Sequence, residues 1–222
     1  MLHRLTPNQP IRLAEMPTDG KALYDGPREA AETQFQQLRD QIIDWQERLY
    51  AESRQKLLLI FQAMDGGGKD GAIANLLRGV NPQGVKVTAF KQPTSHELAH
   101  DFLWRIHQAV PGKGFIGVFN RSHYEDVLIV RVDNIVPESV WRPRYEQINQ
   151  FERLLTENGT TILKFYLHIS KEEQAKRFQA RIDDPSKHWK FSFEDLEKRK
   201  QWADYMAAYE EMLNQCTTPH AP

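Results

Sequence analysis

The stretch from Leu57 to Ala72, "LLLIFQAMDGGGKDGA", constrains this chain more than any other. A short apolar run ends in Gly66, Gly67 and Gly68, and Lys69 follows at once. An unbroken apolar run of this length, bounded by glycines, predicts a strand buried on both faces over Lys56–Gln62. Consecutive glycines tolerate positive φ, so their N–H groups can point into one concavity. A helix predicted from Asp70 to Gly79 would add unpaired donors and the positive end of its dipole. Strand, glycine loop, lysine and helix form the order of a phosphate-binding loop, in which Lys69 supplies a point charge for the outer phosphates.

The loop departs from the usual G-x-x-x-x-G-K-[ST] at two places. Ala63 replaces the first glycine, and Asp70 replaces the hydroxyl that would hold a metal. Asp65 also sits inside the loop, where a bare carboxylate would repel phosphate. Magnesium takes one or two carboxylates together with phosphate oxygens, so Asp65 is expected on the metal side of the site. The alternative is that Asp65 caps the loop's own N–H groups. Asp70 and Gly71 complete the candidate phosphate-binding stretch; the simpler role for Asp70 is a cap at the helix N-terminus. A second anchor is predicted after the strand Phe115–Phe119, in "GFIGVFNRSHYEDVLIVRV". There Asn120 could hold a metal through a water. Arg121 could bind two phosphate oxygens at once, or form a surface salt bridge.

Around these motifs, strands and helices alternate. Residues 1–26 read as an irregular leader with Pro7, Pro10, Pro17 and Gly20. A helix follows to about Glu52, with Phe35, Leu38, Ile42, Trp45 and Leu49 at helical spacing. Further strands are predicted at Gly84–Phe90 and Thr160–Ile169. Helices are predicted at Ser95–Val110 with Ser95 as N-cap, at Lys171–Asp183 after Ser170, and at Ser192–Gln215. The run "VLIVRV" suits helix or strand equally. The expected fold is α/β, a parallel sheet between two helical layers. Residues 1–54 form a leader and helical extension, and residues 55–222 a core with a long insert at about 122–158.

Lys and Arg number 29 against 30 Asp and Glu, a formal charge of -1, which argues against a nucleic-acid partner. A single cysteine, Cys216, excludes an intrachain disulfide framework. No apolar run approaches membrane-spanning length, and no secretory leader is visible, so a soluble cytoplasmic protein is expected.

The segments "MDGGGKDG", "FNRSHYEDVLIVRV", "EEQAKRFQARIDDPSKHWKFSFEDLEKRKQW" and "YEEMLNQCTTPHAP" together resemble the family-2 polyphosphate kinases, and "FNRSHYED" is similar to the class III branch. The resemblance covers nearly all of the chain after Asp25. It implies a P-loop kinase fold like that of thymidylate kinase, with a helical lid expected at the insert of about 122–158. It implies phosphoryl transfer between inorganic polyphosphate and adenine or guanine nucleotides, carrying AMP and ADP to ATP, with magnesium or manganese. It further implies a homo-oligomer, dimer or tetramer. The family's loop falls on Asp65, Gly66, Gly67, Gly68 and Lys69; its second anchor falls on Asn120, Arg121 and Ser122. Basic residues after the fourth strand fall on Arg177 and Arg181. Asn120 departs from the aspartate of other branches, and family members continue past "TPHAP" with another strand and helix.

The residues alone agree with a polyanion site. Arg177 and Arg181 are four apart and share a helical face beyond the fourth strand. The insert adds Arg131, Arg142, Arg144 and Arg153. Lys176, Lys187 and Lys190 read as solvated charge, and Trp189, Phe191, Phe193, Trp202, Tyr205 and Tyr209 as aromatic packing. Two rival functions fit the loop: an ATP-dependent nucleotide or small-molecule kinase, and a polyanion-binding module without turnover.

Overall fold

The computed structural model describes residues 4–21, 24–190 and 192–222, with Lys190 described in its backbone alone. Phe191 lies outside the described residues. In chain order the helices and strands are α1 (Arg28–Glu52), β1 (Lys56–Gln62), α2 (Lys69–Leu76), β2 (Val85–Ala89), α3 (Ser95–Leu98), α4 (Trp104–His107), β3 (Ile116–Asn120), α5 (Ile129–Val132), α6 (Glu138–Trp141), α7 (Arg144–Glu157), β4 (Thr160–Tyr166), α8 (Lys171–Asp183), α9 (Phe193–Lys200) and α10 (Trp202–Cys216). The sheet is wholly parallel in the order β2-β3-β1-β4. This is the expected α/β fold with a helical layer on each face.

β1 lies inside the sheet and alternates between two cores. Leu58 and Ile60 face a large cluster with Phe119, Ile162 and residues of α7 and α10. Leu59 and Phe61 face a smaller one with Ile73, Val118 and the side of α1 at Leu49. Both faces of β1 are therefore buried, which is why it reads as an unbroken apolar run. Each such side chain contributes about 1.5–3 kcal/mol of transfer free energy. On the outer edge of β4 the Lys164 N–H donates to the Pro222 carbonyl at 3.0 Å.

Several expectations are corrected. The helix expected over Ser95–Val110 is two single turns, α3 and α4, and the N-cap is Thr94. Its hydroxyl accepts from the Glu97 N–H while Glu97 reaches back to the Thr94 N–H. Asp101 caps the backbone between the two turns by accepting from the Leu103 N–H at 2.9 Å. The helix expected over Ser192–Gln215 breaks at Gln201 into α9 and α10. The "VLIVRV" run is helical, as α5 and the 3-10 turn before it.

The insert at about 122–158 packs into the body of the fold: Val127, Leu128, Trp141, Ile148 and Phe151 are buried in the large cluster. Three of its four arginines hold internal partners. Arg131 and Arg142 pair with Glu211, and Arg144 pairs with Asp126 at 3.0 Å. The aromatic expectation divides: Tyr205 and Tyr209 are buried, whereas Trp189 and Phe193 are 78% and 80% exposed. The leader is also fixed where described. Asn214 of α10 brackets Ile11, accepting from its N–H at 2.8 Å and donating to its carbonyl at 2.9 Å.

Candidate active site

The glycine loop joins β1 to α2 at the C-terminal edge of the sheet, where open α/β sheets bind ligands. Gly66 and Gly68 have φ of +78° and +97°. A Cβ on Gly66 would meet the Phe178 ring at 2.9 Å, and one on Gly67 would meet the Ala63 Cβ at 2.5 Å. These glycines are therefore required by both conformation and contact. α8 grips the loop from outside. Gln174 donates to the Asp65 carbonyl at 2.7 Å, and Arg177 donates to the Gly66 carbonyl at 3.1 Å.

Lys69 is buried and folds back over its own loop, with Nζ donating to the Ala63 carbonyl at 2.8 Å. Burial lowers its pKa, with Asp65 opposing that shift. Arg121 leaves β3 with φ +62°, a left-handed backbone unusual for a side chain of this size. Such strain collects at functional sites. The turn aims its guanidinium at Asp65, 2.5 Å away, with Glu125 at 3.9 Å on the other side. Burial works against the Arg121 charge, but Asp65 and Glu125 outweigh it and raise the pKa. Burial also raises the Glu125 carboxyl, against the opposing pull of Arg121 and Lys69.

A cavity of about 170 Å³ opens beside these groups. Asp65, Arg121 and Glu125 line one side; Asp195 and Lys198 of α9 and Tyr205 and Tyr209 of α10 line the other. Ligand pockets for whole small molecules usually run to about 300–1,000 Å³, so this space suits phosphate groups better than a complete nucleotide. Burial raises the Asp195 carboxyl, and Asp65 adds to the shift.

The structure thus brings Asp65, Gly66, Gly67, Gly68, Lys69 and Arg121 together. Other candidates have different surroundings. Ser122 is fully buried and turned inward, its hydroxyl accepting from the Tyr124 N–H and the Gln62 amide. Asn120 donates to Asp70 at 2.6 Å, tying β3 to the first turn of α2. Gly71 has open space around its Cα. Arg131 stacks on Trp141 and pairs with Glu211, outside the cavity wall. Arg181 lies over the Phe178 ring and 3.5 Å from Asp195.

Sequence reasoning missed Glu125, Gln174, Asp195 and Lys198. Glu125 had a signal, an acid four residues after Arg121 in a stretch already singled out. The others reach the site through tertiary packing of α8 and α9, which no local spacing announces.

Comparison with known proteins accounts for this arrangement. Residues 26–222 match the family model described as Polyphosphate kinase 2. An AMP/ADP-polyphosphate phosphotransferase from Meiothermus ruber is 50% identical over 220 residues, covering 99% of this chain and 82% of that protein. An ADP-polyphosphate phosphotransferase from Rhodopseudomonas palustris is 47% identical, covering 99% and 80%. The crystal structure of polyphosphate kinase 2 from Arthrobacter aurescens superposes with a TM-score of 0.95 at 44% identity, over 100% of this chain and 79% of that one. With its glycine loop, its lysine and its arginine-bearing turn in place, this chain belongs to the polyphosphate kinase 2 family.

Proposed function

We propose that this enzyme moves a phosphoryl group between inorganic polyphosphate and nucleoside mono- and diphosphates, carrying AMP and ADP to ATP, at the site formed by Asp65, Lys69 and Arg121. The observation that carries the reading is their convergence at one sheet edge, in a chain 50% identical to an AMP/ADP-polyphosphate phosphotransferase. Phosphoryl transfer asks for positioning and charge neutralisation rather than covalent help from the protein. Lys69 and Arg121 supply two cations, and the glycine loop supplies N–H groups.

Each cation holds a temporary partner. Lys69 rests on backbone carbonyls and Arg121 on Asp65. Phosphate oxygens would take both cations, and Asp65 would then be released. The residues fit a divalent cation in that role: the Asp65 carboxylate is about one-third exposed at the cavity, and magnesium needs few protein ligands. Asp65, with Asn120 through a water, would hold magnesium, which supplies further neutralisation of phosphate oxygens.

We assign the cover to α9 rather than to the insert. α9 has no buried residue, and polar contacts tie it to the body: Lys198 to Asp133, Asp195 to Arg181, and Arg199 to Gln174. Segments with few buried apolar contacts open at low free-energy cost. Opening would admit a nucleotide, and closing would exclude water from the transfer. The test is to supply AMP or ADP with polyphosphate and magnesium as the sole phosphoryl source and to measure ATP. ATP formation supports the reading; none with polyphosphate but turnover with an ATP donor identifies an ATP-dependent kinase instead.

A further inference from the structure

Four tyrosines are buried among the described residues: Tyr124, Tyr145, Tyr205 and Tyr209. A hydroxyl taken out of water is normally given a hydrogen-bond partner by the protein. Tyr124 and Tyr145 follow this rule. The Tyr124 hydroxyl donates to Glu152 at 2.7 Å, and the Tyr145 hydroxyl accepts from Arg131 at 3.4 Å. Tyr205 and Tyr209 are 7% and 3% exposed, yet neither hydroxyl has a hydrogen-bond partner among the described residues. Neither oxygen is sealed inside the core either. Both residues line the cavity beside Asp65 and Arg121, so the cavity is the space their hydroxyls reach.

The two phenols are firmly placed. They stand four residues apart on α10 and so share a face, about 6 Å apart along its axis. The Tyr209 ring lies against Tyr166 at the end of β4, with ring centroids 4.7 Å apart. Burial raises the pKa of both hydroxyls, and nearby carboxylates, Glu125 and Asp65 among them, add to the shift. Both therefore keep a proton to donate near neutral pH. Asp65 and Glu125, acceptors on the facing wall, are already engaged with Arg121. α10 brings no cation to the cavity wall, only these O–H groups. An O–H that meets a charged oxygen makes a short, strong hydrogen bond. We infer that Tyr205 and Tyr209 are ligand-binding residues, whose hydroxyls donate to non-bridging phosphate oxygens seated between α10 and Arg121. Polyphosphate and the phosphates of a nucleotide share this chemistry. The inference rests on the phosphoryl-transfer reading above and adds to it a neutral, donating wall across from the cations.

Removing each hydroxyl while keeping its ring tests the assignment on the full chain. Tyr205→Phe, Tyr209→Phe and the double variant would be titrated by calorimetry with magnesium polyphosphate and, separately, with magnesium ADP. Each would also be unfolded in urea without ligand. A hydrogen bond to a charged oxygen is worth about 10–100-fold in affinity, so Tyr209→Phe should weaken binding of at least one of the two ligands by about tenfold or more. The double variant should weaken it further. The ligand that loses affinity is the one whose phosphates sit on α10. The urea midpoint should not fall, because the protein loses no partner of its own. Wild-type affinities for both ligands in the double variant overturn the assignment, since the hydroxyls then meet only water. A clearly lowered midpoint also overturns it, by revealing a partner within the protein. A wild type that binds ADP but not polyphosphate removes the phosphoryl donor assigned above, and the ADP titration then decides the tyrosines alone. A wild type that binds neither ligand overturns both readings.

Discussion

Two charged clusters sit on opposite sides of the turn that follows β3. On one side Arg121 faces Asp65 and Glu125 beside a cavity. On the other, the neighbouring residues His123 and Tyr124 face Glu152, which is fully buried. Glu152 also accepts from Lys164 at 2.7 Å, and Lys164 donates onward to the Cys216 carbonyl at 2.6 Å. Both clusters balance charge, but only the first is open. The Glu152 group joins α7, β4, the turn and the end of α10 with permanent partners, so it fixes the backbone from which Arg121 projects. The Arg121 group is held by partners that phosphate can replace. Solvent access and exchangeable partners separate the catalytic cluster from the structural one.

Breaking the comparison has its largest effect at the loop lysine. Lys69→Ala should lower ATP formation by about 10²–10³-fold, the scale of losing one preorganised charge-stabilising donor. Its unfolding midpoint in urea should stay near that of the wild type, since only backbone carbonyls lose a partner. Glu152→Ala should do the reverse. Removing one member of a buried ion pair costs about 3–5 kcal/mol, read as a lower urea midpoint, because Lys164 is left without its carboxylate. The rate per folded molecule should fall only modestly.

The pH dependence sharpens the same contrast. Burial opposes the Glu152 charge, but Lys164 and His123 outweigh it and hold the carboxyl at about 2, below its ordinary range. A carboxyl lowered on folding adds stability above its unfolded pKa, and that stability is lost as pH falls. Thermal stability should therefore decline from about pH 4.5 toward pH 2, and Glu152→Gln should flatten that part of the profile. An equally steep decline in the variant would place the acid sensitivity elsewhere.

The smallest effect belongs to the arginines of α8. Arg177→Gln with Arg181→Gln should weaken apparent polyphosphate affinity several-fold and reduce its salt dependence, with nucleotide affinity changed less. The expectation follows from screening over a Debye length of about 8–10 Å at physiological ionic strength. An unchanged salt slope would make these residues braces of the loop and of α9, as their contacts with Gly66 and Asp195 already allow.

The sequence made the sheet legible because β1 is buried on both faces and because glycines and a lysine punctuate its end. Helix continuity was less legible. Ser192–Gln215 carries no proline or glycine, so its break at Gln201 has no local marker; the break lets α9 lie over the site while α10 buries Tyr205 and Tyr209. Asp65, Lys69 and Arg121 were legible as types that phosphate chemistry needs. The inward turn of Ser122 was not, because a serine beside an anchor arginine reads the same whether it caps a turn or meets a ligand. The division of "NRSHYED" into two residues facing the cavity, Arg121 and Glu125, and two facing Glu152 depends on the left-handed φ of Arg121, which a non-glycine residue does not advertise.

The most direct measurement is the rate of ATP formation from ADP and polyphosphate by Arg121→Gln, taken at matched folded fraction. Glutamine keeps the turn's length and polarity but removes the charge. The account predicts a loss of about 10²-fold with the unfolding free energy within about 1 kcal/mol of the wild type, because the Asp65–Arg121 pair is partly exposed and such pairs add little stability. A variant that transfers phosphoryl groups at near wild-type rate, or one that loses activity only by unfolding, would contradict it.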